Sequence, residues 1–211
     1  MSRTIVVTGT DTDIGKTVFC AALATALGAS YWKPIQAGLE DDGHGASDGA
    51  RVASLGLPSH AILPEAYRLT TPCSPHRAAE LDQVRIDPAR LALPEIAGPL
   101  IVEGAGGALV PVTRGILYAD VFARWGAPVV IVARTALGTI NHALLTIEAL
   151  RARRVPILGM AFVGDAQEDS EATVCAMGRV ARLGRLPFIG SLNAATLAQA
   201  FATSFTIADF E

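Results

Sequence analysis

Short apolar runs alternate along the chain with longer stretches of helical periodicity. The first run, residues 4–8, leads through a glycine-containing loop into a predicted helix over residues 16–27, which Gly28 ends. Further strands are predicted at residues 30–33, 100–102, 128–133, 157–163 and 187–191. Further helices are predicted at residues 47–55, 76–81, 88–96, 139–152, 168–183 and 194–202. Apolar strands that alternate with helices predict an α/β three-layer sandwich with a mostly parallel central sheet.

Composition narrows the class of protein. A length of 211 residues favours one domain over residues 1–211. A net charge of −3 without a long basic block gives no reason to expect a nucleic-acid partner. Three widely spaced cysteines suggest neither a disulfide framework nor a zinc site, which favours a reducing cytoplasm. No apolar run has the length of a membrane helix, and no signal-like segment is seen, so we expect no membrane partner.

The loop between the first strand and the first helix has the parts of a phosphate-binding loop. Residues 8–18 read TGTDTDIGKTV, with Lys16 for the outer phosphates and the Thr17 hydroxyl for Mg²⁺ at a helix start. Five residues rather than four separate Gly9 from Gly15, so the motif is a variant. A surface lysine in an ordinary turn is the weaker interpretation. We therefore expect a fold of the P-loop NTPase type.

The use of lysine is unusual. Only two of the 17 basic residues are lysines, Lys16 and Lys33, and the others are arginines. An ammonium is a compact point charge that a planar guanidinium does not replace, so both positions are expected to need it. Lys33 precedes a polar, glycine-rich stretch at residues 35–47, and loops of that kind often carry sites.

Two carboxylates are candidates for binding Mg²⁺. Asp48 opens a predicted helix, where a carboxylate also interacts favourably with the helix dipole. Beside a phosphate loop, metal coordination is the better interpretation. Glu103 ends the apolar strand at residues 100–102, and a carboxylate there needs a partner or a metal. The glycines at 104, 106 and 107 either let backbone approach a nucleotide or form only a turn, and we favour the first.

Two other segments give weaker indications. Residues 57–99, which contain TTPCSPHRAAE, are interpreted as a connection that covers one side of the site, with His76 in a structural role. At the predicted helix start near residue 139, Thr139 is expected to be the N-cap. The amides there also suit an anion such as a substrate carboxylate, but the residues alone favour capping.

Six segments resemble the dethiobiotin synthetase family in their order and spacing. They are TGTDTDIGKT, YWKPIQAG, ASD, TPCSPHRAAE, LIVEGAGG and LGTINHALLT, and they extend to about residue 150. The resemblance implies an enzyme of biotin biosynthesis that closes a cyclic urea with ATP and Mg²⁺. Diaminononanoate would take up CO₂ as a carbamate, the carbamate would attack the γ-phosphate, and the second amine would displace phosphate.

The resemblance also implies roles for individual residues. Thr17, Asp48 and Glu103 would hold Mg²⁺, Lys16 would neutralise charge in the transition state, and Thr12 and Lys33 would contact both carbamate and γ-phosphate. Nucleotide binding is implied for Asp13, Ile14, Gly15, Lys16, Thr17, Val18, Asp48, Glu103, Gly104, Ala105, Gly106, Val163, Gly164, Asn193, Ala194 and Ala195. Substrate binding is implied for Thr12, Lys33, Ala37, Gly138, Thr139, Ile140 and Asn141. The last four would bind the substrate carboxylate across the interface of a homodimer, so the family implication overrides the capping interpretation.

Three positions depart from the family pattern. Asp13 replaces a longer Glu, and Ala37 replaces a Ser or Thr, and both changes are expected to be mild. Val163 stands where an Asn commonly reads the adenine edge, which predicts relaxed nucleotide selection.

Two functions other than the synthetase are compatible with a P-loop motif. The alternative is a dimeric P-loop ATPase that acts as a switch or regulates a partner. Such proteins commonly carry a second lysine early in the loop, where this chain has Asp11. An amidotransferase-type ligase is a further option, but the chain leaves no room for a glutaminase domain.

Overall fold

The central element of the fold is a parallel sheet of six strands. A computed structural model describes residues 3–39 and 47–211. In this part of the chain the sheet strands are β1 (Thr4–Gly9), β2 (Ser30–Trp32), β5 (Leu100–Gly107), β8 (Val129–Arg134), β9 (Ile157–Val163) and β10 (Arg182–Leu186). Their order is β10-β9-β8-β1-β5-β2, and every neighbouring pair is parallel. Two short ladders join β3 (Ile35–Gln36) to β4 (Tyr67–Arg68), and β6 (Pro111–Thr113) to β7 (Ile116–Leu117).

Helices cover both faces of this sheet. They are α1 (Lys16–Leu27), α2 (Asp48–Ser54), α3 (Pro75–Leu81), α4 (Tyr118–Trp125), α5 (Thr139–Ala152), α6 (Glu168–Gly178) and α7 (Ala194–Ser204). Short 3₁₀ turns lie at Ser59–Ala61, Pro88–Leu91 and Ile207–Phe210. Side chains of each strand alternate between two apolar layers, so that Val7 packs with α1, α2 and α7 while Val6 packs with α3 to α6. The predicted three-layer α/β fold is confirmed.

Three predicted segments are wrong in extent. The strand predicted to end at Glu103 continues to Gly107, because Gly107 pairs with Gly9 of β1. The helix predicted over residues 168–183 ends at Gly178, where Arg179 adopts the left-handed conformation with φ 48°. The helix predicted over residues 88–96 is only the turn Pro88–Leu91, since Pro94 cannot continue a helix.

The last sheet strand is also misplaced by the sequence pattern. It was predicted at residues 187–191, but β10 is Arg182–Leu186. This strand lies at the sheet edge, and Arg182 and Arg185 both form ion pairs with the buried Glu171 of α6. Because arginines stand at two of its five positions, a search for fully apolar runs passes over it.

The strand ends converge on one edge of the sheet. Thr8 lies near the carboxyl end of β1, with Arg134 and Val163 at those of β8 and β9, and Glu103 of β5 lies opposite Val7 of β1. Ligands of open parallel sheets bind outside this edge. The glycine-rich stretch predicted to carry part of the site includes residues 40–46, which lie outside the described residues. Among the helices of residues 3–39 and 47–211, none is both long and apolar enough to cross a membrane.

Candidate active site

The loop after β1 has the geometry of an anion-binding cradle. Gly15, with φ 92°, precedes α1 as its N-cap, and no side chain caps this helix. The first amides of α1 therefore point into the loop, where they suit a phosphate. A Cβ built on Gly9 would lie 2.7 Å from Ile14 Cδ1 and 2.9 Å from Lys16 Cδ, so glycine lets the loop fold back over its strand.

Lys16 lies under this loop. Its Nζ donates to the Asp11 carbonyl oxygen at 2.7 Å, and the side chain is buried. Burial lowers the pKa of Lys16, while the negative charge of Glu103 acts in the opposite direction. The ammonium is thus held at the place where the outer phosphates of a nucleotide are expected.

Four polar side chains from four different segments meet beside the loop. The Thr17 hydroxyl lies 2.8 Å from Glu103 Oε1 and 3.1 Å from Asp48 Oδ1. Lys33 Nζ forms ion pairs with Asp48 Oδ2 and, at 3.2 Å, with Glu103 Oε1. The structure therefore brings together the three predicted metal ligands and Lys33, from positions up to 86 residues apart, whereas Thr12 and Lys16 are not part of this cluster.

The charges in this cluster are coupled. Lys33 is only 8% exposed and Glu103 only 1% exposed. Burial opposes the charge of Lys33, but the carboxylates of Glu103 and Asp48 outweigh it and raise the pKa of Lys33 above its usual value. Lys33 is therefore a fixed cation at neutral pH and not a base.

Tyr31 is a member of this cluster that the sequence analysis missed. Its hydroxyl donates to Glu103 Oε2 at 2.9 Å, and the residue is fully buried. Burial, reinforced by the Glu103 carboxylate, raises the pKa of the Tyr31 phenol well above its usual value, so the hydroxyl keeps its proton. The sequence did contain one signal for this contact, a tyrosine inside a short apolar strand, because a buried tyrosine hydroxyl usually has a hydrogen-bond partner.

The cluster lines a cavity of about 800 Å³. Its wall contains the predicted residues Thr12, Asp13, Ile14, Gly15, Lys16, Thr17, Val18, Lys33, Ala37, Asp48, Glu103, Ala105 and Gly106. Pro72 to Pro75 close the opposite side, and a Cβ on Gly38 would lie 3.1 Å from Pro72. Of the segment 57–99, which was predicted to cover one side of the site, only residues 72–75 line the cavity. His76 Nδ1 lies 3.0 Å from Ser74 Oγ and does not line the cavity.

A second cavity of about 460 Å³ continues from the other side of the loop. Asp13, Ile14, Gly15 and Val18 line both cavities. The remaining wall is formed by Arg134, Thr135, Ala136, Val163, Asp165, Gln167, Leu186, Pro187, Phe188, Ile189 and Leu192. Val163 packs directly on the loop, since a Cβ on Gly15 would lie 3.0 Å from Val163 Cγ1. Residues 186–189 were missed because the last strand was predicted too late in the chain.

Several residues implied in nucleotide binding line neither cavity. Asn193 Oδ1 accepts from the Ala195 amide at 3.0 Å and the Thr196 amide at 3.1 Å, so this side chain caps α7. Ala194 and Ala195 are exposed in the first turn of that helix. Gly104 packs against Phe122, and Gly164 against Thr135 and Phe188. Their roles in nucleotide binding stay predictions.

The start of α5 also lies outside both cavities of this chain. The sequence predicted Thr139 as its N-cap, but the N-cap is Gly138 with φ 92°, and Thr139 is the first helical residue. The expectation was wrong because glycine adopts this conformation without the strain that threonine would have. Gly138 and Asn141 are exposed, whereas Thr139 is buried.

The cluster is compatible with Mg²⁺ by its donor set. No group of three or more His, Cys, Asp or Glu side chains suited to a metal occurs among residues 3–39 and 47–211. Mg²⁺ is usually held by only one or two carboxylates together with phosphates and water. The oxygens of Thr17, Asp48 and Glu103 supply such a set, and the two carboxylates already pair with a cation, Lys33 Nζ.

Comparisons with known proteins show what the whole chain is similar to. A family model described as an AAA domain matches residues 3–196. The ATP-dependent dethiobiotin synthetase BioD of Novosphingobium aromaticivorans is 69% identical over 97% of this chain and 98% of its own length. The protein of the same name from Rhizorhabdus wittichii is 62% identical over 100% of this chain and 99% of its own.

Solved structures resemble the chain in fold. A ParA family ATPase from Chlorobium tepidum aligns with a TM-score of 0.51 and 12% identity, over 94% of this chain and 96% of its own. The cell division ATPase MinD of Pyrococcus furiosus aligns with a TM-score of 0.51 and 15% identity, over 96% of this chain and 99% of its own. At such identities the likeness concerns the fold alone.

Proposed function

This chain belongs to the ATP-dependent dethiobiotin synthetase family, and from that premise we propose how its residues carry out the reaction. The enzyme forms the ureido ring of dethiobiotin from 7,8-diaminononanoate and CO₂, with conversion of ATP to ADP and phosphate, in biotin biosynthesis. The observation that carries the proposed mechanism is the cluster of Thr17, Lys33, Asp48 and Glu103 beside the phosphate loop.

The nucleotide is proposed to bind across the loop between the two cavities. Its phosphates would lie on the amides at the start of α1, with Lys16 at the outer phosphates. Its base would enter the 460 Å³ cavity, whose wall is mostly apolar beside Val163 and Phe188. This placement is supported by the four loop residues that line both cavities.

The oxygens of Thr17, Asp48 and Glu103 are proposed to hold Mg²⁺. When bound, the metal supplies positive charge that offsets the negative charge of the phosphates during phosphoryl transfer. The buried Glu103 and the half-buried Asp48 both pair with Lys33 Nζ, so the two carboxylates lie close together. This closeness supports the proposal that they share Mg²⁺. The protein's own contribution is to fix this charge before the substrates arrive.

Lys33 and Thr12 are proposed to contact both the carbamate and the γ-phosphate. A carbamate oxygen attacks the γ-phosphorus while the bond to the bridging oxygen of ADP breaks, which gives a carbamic-phosphoric anhydride. The second amine then attacks the carbonyl carbon, phosphate leaves, and the amine loses a proton. Lys33 would hold the carbamate against the γ-phosphate, a role supported by its fixed charge in the wall of the larger cavity.

We propose that the substrate carboxylate binds at the start of α5 of a second copy of the chain. Gly138 to Asn141 line neither cavity of their own chain, and Leu137 beside them is fully exposed. A symmetric dimer would let each copy supply this helix start to its partner's cavity. The function then needs small-molecule substrates and a second copy of this chain. We also propose that residues 1–211 act as one domain in the cytoplasm.

A mixture of two inactive variants tests the shared site. Lys33→Arg disables the reacting cavity, and Asn141→Asp places a negative charge where the substrate carboxylate is expected. In a hybrid dimer one site collects both defects and the other has neither. Random pairing of equal amounts makes roughly half of the dimers hybrids, and each hybrid has one intact site out of two. The mixture should therefore recover about a quarter of the parental rate. A mixture that is no more active than its components would mean that each site is built by one chain.

Base selection is expected to be weak. The Val163 side chain neither donates nor accepts a hydrogen bond, and discrimination between bases depends largely on such contacts. We expect kcat/KM values for ATP, CTP and GTP within about tenfold of each other. Val163→Asn is the informative variant, because it restores an amide at this strand end and should raise the preference for ATP. A strong ATP preference of the parent chain would show that other groups of the cavity, such as Asp165 or Gln167, read the base.

A further inference from the structure

Tyr31 is buried beside Glu103 and lines neither cavity. We propose that Tyr31 is a positioning residue that holds the Glu103 carboxylate in the orientation needed to bind Mg²⁺. The inference rests on the proposed role of Glu103 as a metal ligand and goes beyond it, because nothing in the motifs of the chain assigns a role to Tyr31.

The two oxygens of Glu103 have different partners. Oε1 faces the site, 2.8 Å from the Thr17 hydroxyl and 3.2 Å from Lys33 Nζ. Oε2 points away from the site and accepts from the Tyr31 hydroxyl at 2.9 Å. The carboxylate is therefore fixed at both oxygens, and rotation about its last bond would break contacts on both sides.

Strand register brings Tyr31 to this place. β2 lies beside β5 in parallel, with Tyr31 opposite Ile101. Side chains two residues apart share one face of a sheet, so Ile101 and Glu103 point to the same side. Tyr31 and Ile101 pack in the apolar layer on the α1 side, whereas Trp32 packs in the opposite layer. The phenol thus extends along this face and reaches the carboxylate of Glu103, two residues after Ile101 in β5.

Such a contact affects metal binding through geometry. Carboxylates that bind metals are usually hydrogen-bonded by a second residue, and removing that residue weakens metal affinity or activity by roughly 10- to 100-fold. A merely structural hydroxyl would act differently. Its loss would lower the free energy of unfolding, because Oε2 would be buried without a partner, but it would leave the metal affinity of the folded protein unchanged.

The test compares two tyrosine-to-phenylalanine variants. Tyr67 is also buried, and its hydroxyl contacts the backbone of Asp87 and not the cluster, so Tyr67→Phe is the matched control. Mn²⁺ binding is measured by electron paramagnetic resonance with a non-hydrolysable ATP analogue, together with thermal unfolding. Tyr31→Phe should weaken Mn²⁺ binding about tenfold or more, and Tyr67→Phe should leave it as in the parent. A folded Tyr31→Phe protein with parental Mn²⁺ affinity would overturn the proposal.

A second measurement needs no change at Tyr31. The chain contains three tyrosines, so labelling with ¹³Cζ-tyrosine gives three resonances. Those of Tyr67 and Tyr118 are assigned from their phenylalanine variants. Addition of Mg²⁺ to the nucleotide complex should shift the Tyr31 resonance, because its partner Glu103 gains a metal. The Tyr67 resonance should stay, since its hydroxyl contacts the amide of Asp87 instead. A Tyr31 resonance that does not move contradicts the proposal.

Glu103→Gln separates failure of this inference from failure of the proposed metal site. If Glu103→Gln binds Mn²⁺ like the parent, Glu103 is no ligand and both proposals fall. If Glu103→Gln weakens binding and Tyr31→Phe does not, the metal site stands and the positioning role of Tyr31 is refuted.

Discussion

Lys33→Arg is expected to lower the rate of phosphoryl transfer on the order of 10²-fold or more, although it keeps the positive charge. Lys33 Nζ lies between the Asp48 and Glu103 carboxylates, and the side chain is only 8% exposed. A guanidinium is planar and broader than an ammonium, so it must displace one carboxylate or one reactant. The measurement is single-turnover release of phosphate with diaminononanoate, bicarbonate, Mg²⁺ and ATP.

A reverse exchange controls for the substitution itself. Arg77→Lys makes the opposite change at an ion pair with Glu80 in which both side chains are exposed, so that the contact contributes little. This variant should keep the parental rate and the parental thermal stability. If Lys33→Arg also releases phosphate at the parental rate, Lys33 has no part in the mechanism.

Asp48→Asn is expected to weaken Mg²⁺-dependent turnover on the order of 10²-fold, with a much smaller effect on stability. The Asp48 side chain is partly exposed, and Lys33 keeps its ion pair with Glu103 when Asp48 is neutral. The variant therefore removes a negative oxygen from the proposed metal site without leaving a buried charge unpaired. Turnover is measured as a function of Mg²⁺ concentration, and unfolding by thermal melting.

The matched control is Asp169→Asn. Asp169 is an exposed carboxylate in the first turn of α6, as Asp48 is in the first turn of α2, so both changes remove the same interaction with a helix dipole. Asp169→Asn should turn over like the parent at every Mg²⁺ concentration. An Asp48→Asn protein that matches the parent at limiting Mg²⁺ would mean that Asp48 interacts only with the helix dipole and Lys33.

Local sequence was enough to predict the phosphate loop. A strand, a glycine loop and a helix start follow one another within residues 4–27, so their spacing alone defines the cradle. The rarity of lysine pointed to Lys33 for a chemical reason, since the chain uses arginine at its other basic positions. Lys16 of the loop and Lys33 both lie in the wall of the larger cavity.

Contacts between distant segments could not be predicted in the same way. Tyr31 reaches Glu103 only because β2 and β5 are neighbours in the sheet, and neither strand carries a motif that states this pairing. The last strand was placed too far along the chain, since β10 is an edge strand that contains two arginines, both paired with Glu171. The Asn193 side chain caps α7, a contact that the sequence analysis did not predict, and the implied role of Asn193 in nucleotide binding stays a prediction.

The most direct test of the account is the identity of the product. The purified chain is incubated with diaminononanoate, ¹³C-bicarbonate, Mg²⁺ and ATP, and the products are analysed by mass spectrometry and by assay of phosphate. We expect labelled dethiobiotin together with one phosphate for each ring closed. Hydrolysis of ATP at the same rate with and without diaminononanoate, with no dethiobiotin, would contradict the account and favour a P-loop ATPase that acts as a switch.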